Sequence, residues 1–372
     1  MMRRLLGIAA VAACGSEPQI VDNAQIIVDG YNAVGDDCRT GICVHNENTD
    51  LVAFGGATYL VHRTAESQIL GPNSSLRVSR SDDHGATWQL LAVMPAIDGR
   101  DLRDPAFYTI DGKLAIKALT RLPVLSDRDS NVDTIAVATV SPDGGATWSP
   151  LAPIGPETWS FWRIKDFGGV HYNAAYEDGD KSVRLFSSAN GTSWTMGAVI
   201  WPTAEDTPVE TELVFMPSGK LLAIVRLDGT NDELLGSQGR LRTGVCWADP
   251  PYASFTCPQI LDGVRLDGPL AFFHDGRLFV VARKHLLGDD NKKRTALYEL
   301  TGDLDGGGEL ACTELAVLPS AGDTSYAGVA DIDAQRVLVT WYSSLLQQDG
   351  PWARAMLGPT DIWQAEIDLS AL

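Results

Sequence analysis

The feature that most limits how this chain can fold is an octet that occurs three times. Two copies are Ser81–Trp88 (SDDHGATW) and Ser141–Trp148 (SPDGGATW), and Ser187–Trp194 (SSANGTSW) is a degraded copy with Ala189 for the Asp and Ser193 for the Thr. The Asp and Ser side chains of such an octet can bind backbone N–H groups of a tight turn, Gly supplies a positive φ, and Trp packs beneath the loop. Three copies in one chain predict repeated β-hairpins.

A longer repeat runs through the whole chain. An apolar segment, a turn and an alternating apolar strand recur, with turns at Gly56, Gly112, Gly168, Gly219, Gly276 and Ala334, at intervals of 56, 56, 51, 57 and 58 residues. Each unit has room for about four short strands, and no segment sustains a helical period. We therefore predict an all-β, six-bladed β-propeller over residues 25–372, in which strands at 25–29 and 362–369 complete the ring.

The N-terminus reads as a targeting segment. Arg3 and Arg4 precede a short apolar run, and residues 1–13 are too few to span a bilayer. The segment ends in VAACG around Cys14, which resembles a bacterial lipobox and implies cleavage before Cys14 and lipidation of its thiol. A plain secretory signal is the alternative. In either case we expect a tether at 14–24 and a location in the cell envelope or outside the cell.

Charge and cysteine content limit the partners and cofactors. A net charge of −19 over 372 residues argues against binding nucleic acid or anionic membranes by bulk charge, so we expect membrane contact only through the lipid anchor. We also expect a monomer, as is common for propellers of this kind. An oxidising compartment allows two local bridges, Cys38–Cys43 and Cys246–Cys257, which leaves Cys312 buried and free. Without a C-x-x-C pair or two His at ligand spacing, neither a metal nor another cofactor is expected.

Polar residues recur where the inner strand of each blade faces the channel. Four of these residues lie nine positions before a turn glycine: Glu47, Arg103, Glu210 and Asp267. Tyr326 lies nine positions before Gln335, which is one residue beyond the sixth turn at Ala334. Trp162 beside Arg163 offers an aromatic face for a sugar ring. His45 and His171 also lie near blade starts, where we expect hydrogen-bonded fillers rather than bases.

The octets resemble the Asp-box, or BNR repeat, of the sialidase superfamily, which implies a sialidase-like propeller but no particular chemistry. Two longer segments within residues 45–345 extend the resemblance. Glu210–Arg226 (ETELVFMPSGKLLAIVR) resembles the sialidase segment in which a Glu precedes a strand, a turn Gly and a substrate-binding Arg. Tyr326–Tyr342 (YAGVADIDAQRVLVTWY) resembles the segment that opens with the nucleophile.

The resemblance implies a role for each of these residues. Tyr326 would be the nucleophile and Glu210 its base, because a neutral phenol avoids repulsion by the carboxylate that an acidic sugar carries at its anomeric carbon. Arg226 would be one arm of a carboxylate clamp, which suits the bidentate guanidinium. Arg283 or Arg294 would be a second arm.

The sequence departs from the superfamily at two places. The first clamp Arg belongs to an F-R-I-P segment, where this chain reads Val44–Glu47 (VHNE). The loop after Arg63, in which the acid/base Asp is expected, offers Glu66 as its only carboxylate. Asp104 is the alternative acid, and Arg103 is a replacement for the missing arm.

Three functions remain open from sequence. The first is a retaining, sialidase-like exo-glycosidase that acts on terminal sugars of extracellular glycans, acidic ones included. The second is a propeller hydrolase or uronate lyase that uses Asp104 and Glu210 as acid and base, with Tyr326 as a helper. The third is a surface lipoprotein that binds glycans without catalysis. Convergence of these residues and the arginines on one pocket would favour an enzyme.

Overall fold

A computed structural model describes residues 20–35, 37–69, 71–97, 99–122, 133–177, 182–202, 207–228, 241–286 and 292–372. In these ranges the chain is all-β, apart from the four-residue helix α1 (Trp352–Ala355) and two 3₁₀ turns, Leu346–Gln348 and Leu369–Ala371. No helix in the described part of the chain has the length and apolar character needed to cross a membrane. The predicted signal segment and Cys14 lie outside the described residues.

The described residues form 24 strands. In chain order they are β1 (Val21–Val28), β2 (His45–Phe54), β3 (Ala57–Ala65), β4 (Ser75–Ser81), β5 (Gln89–Pro95), β6 (Asp101–Ile110), β7 (Lys113–Arg121), β8 (Ile135–Ser141), β9 (Ala152–Pro153), β10 (Ser160–Phe167), β11 (Val170–Glu177), β12 (Ser182–Ser188), β13 (Thr195–Trp201), β14 (Pro208–Phe215), β15 (Leu221–Leu227), β16 (Arg242–Ala248), β17 (Thr256–Asp262), β18 (Asp267–His274), β19 (Arg277–His285), β20 (Lys293–Gly302), β21 (Leu310–Leu318), β22 (Thr324–Asp331), β23 (Arg336–Ser344) and β24 (Thr360–Asp368).

Four sheets are separate four-stranded units with sequential strand order: β6–β9, β10–β13, β14–β17 and β18–β21. The remaining eight strands form one sheet in the order β22-β23-β24-β2-β3-β4-β5, with β1 paired to β24. The sheets thus number four of four strands and one of eight, where the repeat predicted six separate units. They merge because His45 and Thr360 form a single parallel pair between β2 and β24.

The two ends of the described chain lie side by side. Strand β1 runs antiparallel to β24, with Val21 opposite Ile367 and Val28 opposite Ile362. Both predicted end strands therefore lie in the sheet that contains the first and last hairpins. Strand β1 begins at Val21, so residues 21–24 of the predicted tether are strand.

The six predicted turns lie between the first and second strands of six similar hairpins. All five glycines have the positive φ that a side chain disfavours: Gly56 (81°), Gly112 (69°), Gly168 (60°), Gly219 (90°) and Gly276 (75°). Ala334 follows β22 at the sixth such position. The second strands are mostly buried, as in β15, although β11 is buried only at its centre, and their apolar side chains pack between adjacent sheets.

The first two octets form the predicted turns after β4 and β8. Asp83 accepts hydrogen bonds from the backbone N–H and the hydroxyl of Thr87 at 2.8 and 2.7 Å, while Ser81 Oγ accepts from the Gly85 N–H at 2.7 Å. Asp143 makes the same pair of bonds in the second octet. The side chains thus replace backbone partners that the turn lacks.

The third octet uses different residues from those expected. Ser188 Oγ accepts from the Gly191 N–H at 2.9 Å, and Asn190 Oδ1 accepts from the N–H groups of Thr192 and Ser193. Asn190, rather than Ala189, therefore takes the role that Asp has in the other two octets, because its amide oxygen can accept hydrogen bonds from the backbone N–H groups of the turn as a carboxylate does. The three octet tryptophans pack against apolar clusters, as expected: Trp88, Trp148 and Trp194.

Both predicted disulfides are present. Cys38 is bonded to Cys43, and Cys246 is bonded to Cys257. Cys312 is free, but it is only partly buried, because it lies on β21, the outer strand of its sheet.

Replacing Asp83 with alanine is expected to lower the melting temperature, because its carboxylate holds the turn together. Asp82→Ala is the control and is expected to change it little, because Asp82 forms an exposed ion pair with Arg80, at 2.6 Å. The bonds from Thr87 and Ser81 lower the pKa of Asp83 from 3.8 to about 2. The contribution of the Asp83 carboxylate to the stability of the fold is therefore fully present above pH 3.8 and is lost as the pH falls through about 2. Thermal melts across this range test it; a pH-independent difference between wild type and Asp83→Ala would contradict the assignment.

Candidate active site

A bulge in every first strand shapes the centre of the molecule. In each of six hairpins the register between first and second strand shifts at the same place. The shifts fall between Glu47 and Asp50, Arg103 and Ala106, Phe161 and Ile164, Pro208 and Thr211, Asp267 and Leu270, and Ser325 and Gly328. A bulge leaves residues outside the ladder and redirects their side chains.

Several bulge residues hold a left-handed backbone. The φ angles are 54° at Asn48, 50° at Asp104 and 50° at Tyr326. For a residue with a side chain this conformation costs about 1–3 kcal/mol, and such strain concentrates at functional sites. The three strained residues all line one polar cavity of ≈ 300 Å³.

Seven of the twelve predicted site residues line this cavity, from four of the sheets. They are Glu47, Arg103, Asp104, Glu210, Arg226, Arg283 and Tyr326. The nine-residue spacing and the superfamily resemblance therefore converge on the same place. The other five, Glu66, Trp162, Arg163, Asp267 and Arg294, are not part of its lining.

Tyr326 and Glu210 are in direct contact. The Tyr326 hydroxyl donates to Glu210 Oε1 at 2.5 Å, and Arg226 Nη1 donates to Glu210 Oε2 at 2.7 Å and to Tyr326 Oη at 3.2 Å. The backbone N–H of Gly268 also donates to Glu210 Oε2, at 2.9 Å. Arg226 and the Gly268 N–H therefore fix one oxygen of Glu210, and the other oxygen accepts the hydrogen bond of the phenol.

The phenol is protonated at rest. Burial, and then the negative charge of Glu210, raise the pKa of Tyr326 well above its ordinary value of 10.0. Attack by this oxygen on an electrophile therefore requires a base that takes the proton during the step, and Glu210 Oε1 lies on that proton.

Arg283 packs against the ring of Tyr326. Its guanidinium carbon lies 5.0 Å from the ring centroid, and its Nη2 donates to Tyr342 Oη at 2.8 Å and to Asp323 Oδ1 at 3.2 Å. Of the two arginines proposed as a second clamp arm, Arg283 reaches the cavity. Arg294 instead makes a bidentate pair with Asp349, at 2.9 and 2.7 Å.

Asp267 lies behind the cavity wall and is fully buried. Its Oδ1 is 3.2 Å from Arg226 Nε and 2.7 Å from Arg265 Nε, and His285 Nε2 is 2.6 Å from its Oδ2. Burial by itself raises the pKa of Asp267, but the charges of Arg226 and Arg265 bring it well below 3.8. Asp267, predicted to bind substrate, is therefore placed to orient Arg226.

The two candidate acids occupy different places. Asp104 lines the cavity, where its side chain is 16% exposed, accepts from the Asn48 amide and lies 3.5 Å from Arg103 Nε. Glu66 lies outside the cavity lining, and its Oε1 accepts from Asn73 Nδ2 at 2.8 Å. The structure thus brings Asp104, and not Glu66, to the same cavity as Tyr326.

Trp162 and Arg163 lie beneath Tyr326. The Trp162 ring meets the Tyr326 ring edge-on with centroids 5.8 Å apart, and its Nε1 donates to Pro269 O at 3.3 Å. Arg163 is bound to Asp50 at 2.5 Å and donates to Ala327 O at 2.7 Å. Trp162 is 4% exposed and packs against the tyrosine, so it presents little of its ring face to a sugar. Arg163 joins the bulges of β2 and β22.

The cavity also contains residues that the sequence analysis did not single out, including Arg121, Asp228, Tyr342 and Trp352. Asp228 follows Arg226 by two positions and binds its Nε at 2.6 Å. Trp352 lies in α1, between β23 and β24, outside the repeat. No periodic signal marks it, although a tryptophan in a polar segment is a weak indication of a surface with a ligand.

The charges that the described residues bring to the cavity balance. Among these residues, four carboxylates (Glu47, Asp104, Glu210, Asp228) and four guanidinium groups (Arg103, Arg121, Arg226, Arg283) line it. Each guanidinium already has a carboxylate within 4 Å, as Arg103 has Glu47 at 3.2 Å and Arg121 has Asp101 at 3.8 Å. The result is a polar surface dense in donors and acceptors, which suits a ligand rich in hydroxyl groups.

Comparison with solved structures places the fold among known propellers. A protein of unknown function from Dyadobacter fermentans DSM 18053 matches with a TM-score of 0.65 and 17% identity over 93% of this chain and 99% of that one. An intramolecular trans-sialidase from Ruminococcus gnavus, in complex with oseltamivir carboxylate, matches at 0.64 and 12% over 93% and 98%. An α-L-arabinanase from Penicillium chrysogenum, complexed with arabinobiose, matches at 0.63 and 14% over 95% and 99%.

No family model and no curated protein matches the chain. At such low identity the structural likeness establishes a sialidase-like β-propeller fold and no activity.

Proposed function

We propose that this chain is a retaining glycoside hydrolase that acts on the terminal sugar of an extracellular glycan. The observation that carries the proposal is the 2.5 Å contact of the Tyr326 hydroxyl with Glu210 in a polar cavity. Tyr326 Oη attacks the anomeric carbon while Glu210 takes its proton, and Asp104 protonates the departing oxygen. Water then releases the sugar as Asp104 acts as base and Glu210 returns the proton to Tyr326.

We infer a six-bladed ring for this enzyme. The eight-stranded sheet divides into β2–β5 and β22–β24 with β1, since one residue pair alone connects β2 to β24. The six equivalent bulges and turns support this count, because each falls in one four-stranded unit.

An acidic sugar is the first candidate substrate. A neutral phenol is the nucleophile suited to an anomeric carbon that bears a carboxylate, and Arg103, Arg226 and Arg283 share the cavity with it. Arg103 is the candidate for the first arginine of the carboxylate clamp, which this chain lacks in the Val44–Glu47 segment. The guanidinium groups could each add a substrate carboxylate to the partners that they already have.

A neutral sugar is the second candidate, and the balance of charge favours it. Among the described residues, four carboxylates offset four guanidinium groups in the cavity, so these side chains together give an anionic ligand little net attraction. In that case Glu210 and Asp104 are the reacting pair of carboxylates and Tyr326 is a helper.

We also propose that the protein is anchored at the cell envelope through Cys14 and acts as a monomer. The two disulfides support an oxidising compartment outside the cytoplasm.

Turnover of a small panel of aryl glycosides, with a sialoside, an α-L-arabinofuranoside and a glucuronide, tests both candidates. We expect hydrolysis of one terminal sugar with retention of anomeric configuration. Proton NMR of the first-formed product measures the configuration. Release of a product that absorbs in the ultraviolet from a uronate polymer would indicate a lyase. Inactivity on the panel and the polymer, together with measurable binding of a glycan, would favour the non-catalytic alternative.

A further inference from the structure

Three side chains meet at the edge of the cavity, where β2 approaches the start of β22; Glu47 also lines the cavity, whereas His45 and Asp323 do not. His45 Nε2 lies 3.4 Å from Glu47 Oε2 and 3.7 Å from Asp323 Oδ2. His45 and Asp323 are fully buried, and the Glu47 side chain is 1% exposed. These three ligand-type atoms all lie within 4.8 Å of one another.

The protonation of the imidazole follows from its other nitrogen. His45 Nδ1 lies 2.8 Å from the carbonyl oxygen of Gly358, which can only accept, so the proton is on Nδ1. In the neutral ring Nε2 then presents a lone pair to two carboxylate oxygens. Neither His45 Nε2 nor Asp323 Oδ2 has a hydrogen-bond partner among the described residues, and 3.4 Å exceeds an ordinary N–H···O bond.

The outer oxygens of both carboxylates are already satisfied. Glu47 Oε1 accepts from Arg63 at 2.5 Å and from Arg103 at 3.2 Å. Asp323 Oδ1 accepts from Arg283, from the Tyr342 hydroxyl at 2.9 Å and from Trp352 Nε1 at 2.8 Å. Each carboxylate therefore turns its second oxygen toward His45. Ligands oriented in this way by donors on their far side are typical of metal sites.

We propose that His45, Glu47 and Asp323 bind a divalent transition-metal ion, with Zn²⁺ as the best fit. Tetrahedral ligands at zinc distances lie ~3.3–3.5 Å apart, close to the spacings seen here, whereas octahedral ligands of Mg²⁺ lie only ~2.9 Å apart. Ca²⁺ prefers an all-oxygen shell, which the imidazole does not supply. Three protein ligands leave the fourth position to water.

The position of the site gives the ion a structural role. His45 and Glu47 belong to β2, and Asp323 immediately precedes β22, so the ion joins the first and last hairpins of the chain. There the sheet itself is continuous through one residue pair, His45 with Thr360. Because it binds the native state, the ion is expected to stabilise this junction, whatever reaction the cavity supports.

Titration of the chelator-treated full-length protein with ZnCl₂, followed by calorimetry and elemental analysis, tests the site. We expect about one Zn²⁺ per chain and a melting temperature that rises with Zn²⁺. His45→Gln is expected to weaken binding by ~100-fold or more and to remove the thermal shift. His171→Gln is the matched control, because His171 lies on β11, in a different sheet, where it pairs with Asp166 at 2.5 Å. It is expected to leave the affinity and the thermal shift unchanged.

X-ray absorption on the zinc-loaded wild type decides the matter even where His45→Gln fails to fold. One imidazole nitrogen and oxygen ligands at about 2.0–2.2 Å are expected. A sulfur shell would place the ion at a cysteine and overturn the proposal. The proposal would also be overturned if His45→Gln bound Zn²⁺ as tightly as the wild type, or if the wild type bound no Zn²⁺. In the latter case the space between His45 Nε2 and the two carboxylates would hold a proton on Nε2 instead of a metal ion.

Discussion

Tyr326→Phe is expected to lower kcat on the best substrate of the panel by more than ~10⁴-fold, because the variant lacks the oxygen that forms the covalent intermediate. The fold should persist, since phenylalanine keeps the ring contacts with Trp162 and with the Arg283 guanidinium. Steady-state kinetics, with a circular dichroism melt to verify folding, measure the effect.

Tyr342→Phe is the matched control for this variant. The Tyr342 ring lies 6.1 Å from that of Tyr326, and its hydroxyl binds Arg283 and Asp323 instead of Glu210. Loss of a hydrogen bond to a charged group is worth about 1.5–3 kcal/mol, so activity is expected to fall by ~10- to 100-fold at most. If Tyr326→Phe keeps activity comparable to this control while Glu210→Gln is inactive, the two-carboxylate mechanism replaces the tyrosine mechanism.

Asp267→Asn is expected to lower the free energy of unfolding by ~3–5 kcal/mol, because it removes one carboxylate charge from a buried cluster that contains the guanidinium groups of Arg226 and Arg265. The Asp267 carboxylate binds Arg265 at 2.7 Å and His285 at 2.6 Å and lies 3.2 Å from Arg226. Urea denaturation followed by tryptophan fluorescence measures the loss. We also expect weaker substrate binding, since Arg226 loses one of the groups that orient it.

Asp262→Asn is the control, because the Asp262 side chain is 84% exposed and lies 3.5 Å from Arg242. It is expected to change stability by less than ~0.5 kcal/mol. The lowered pKa of Asp267 sets the pH dependence: its contribution is fully present above 3.8, the ordinary aspartate value, and is lost as the pH falls further. Equal stability of Asp267→Asn and wild type at neutral pH would show that the buried network is not stabilising.

The repeat, the turns and the covalent links could be predicted from the sequence because their causes are local. Gly56 and Gly276 stand where the backbone needs a positive φ, and Asp83 binds a residue only four positions away. Both disulfides join cysteines that are close in the chain. Tyr326 and Glu210, 116 residues apart, could be paired only through the superfamily resemblance, and the structure brings them into contact.

The tertiary structure decided whatever depends on how separate strands face one another. The bulge in β6 places the Asp104 side chain in the cavity lining. Glu66 is not part of that lining, and Asp267 lies behind Arg226. Arg294 pairs with Asp349 from the distant connection between β23 and β24, a contact that no local pattern encodes. The merged sheet arises in the same way, because strands far apart in sequence meet where the first and last hairpins come together. Turn chemistry acts over a few residues and can therefore be predicted from the sequence, while the partner of a buried charge depends on the packing of the whole fold.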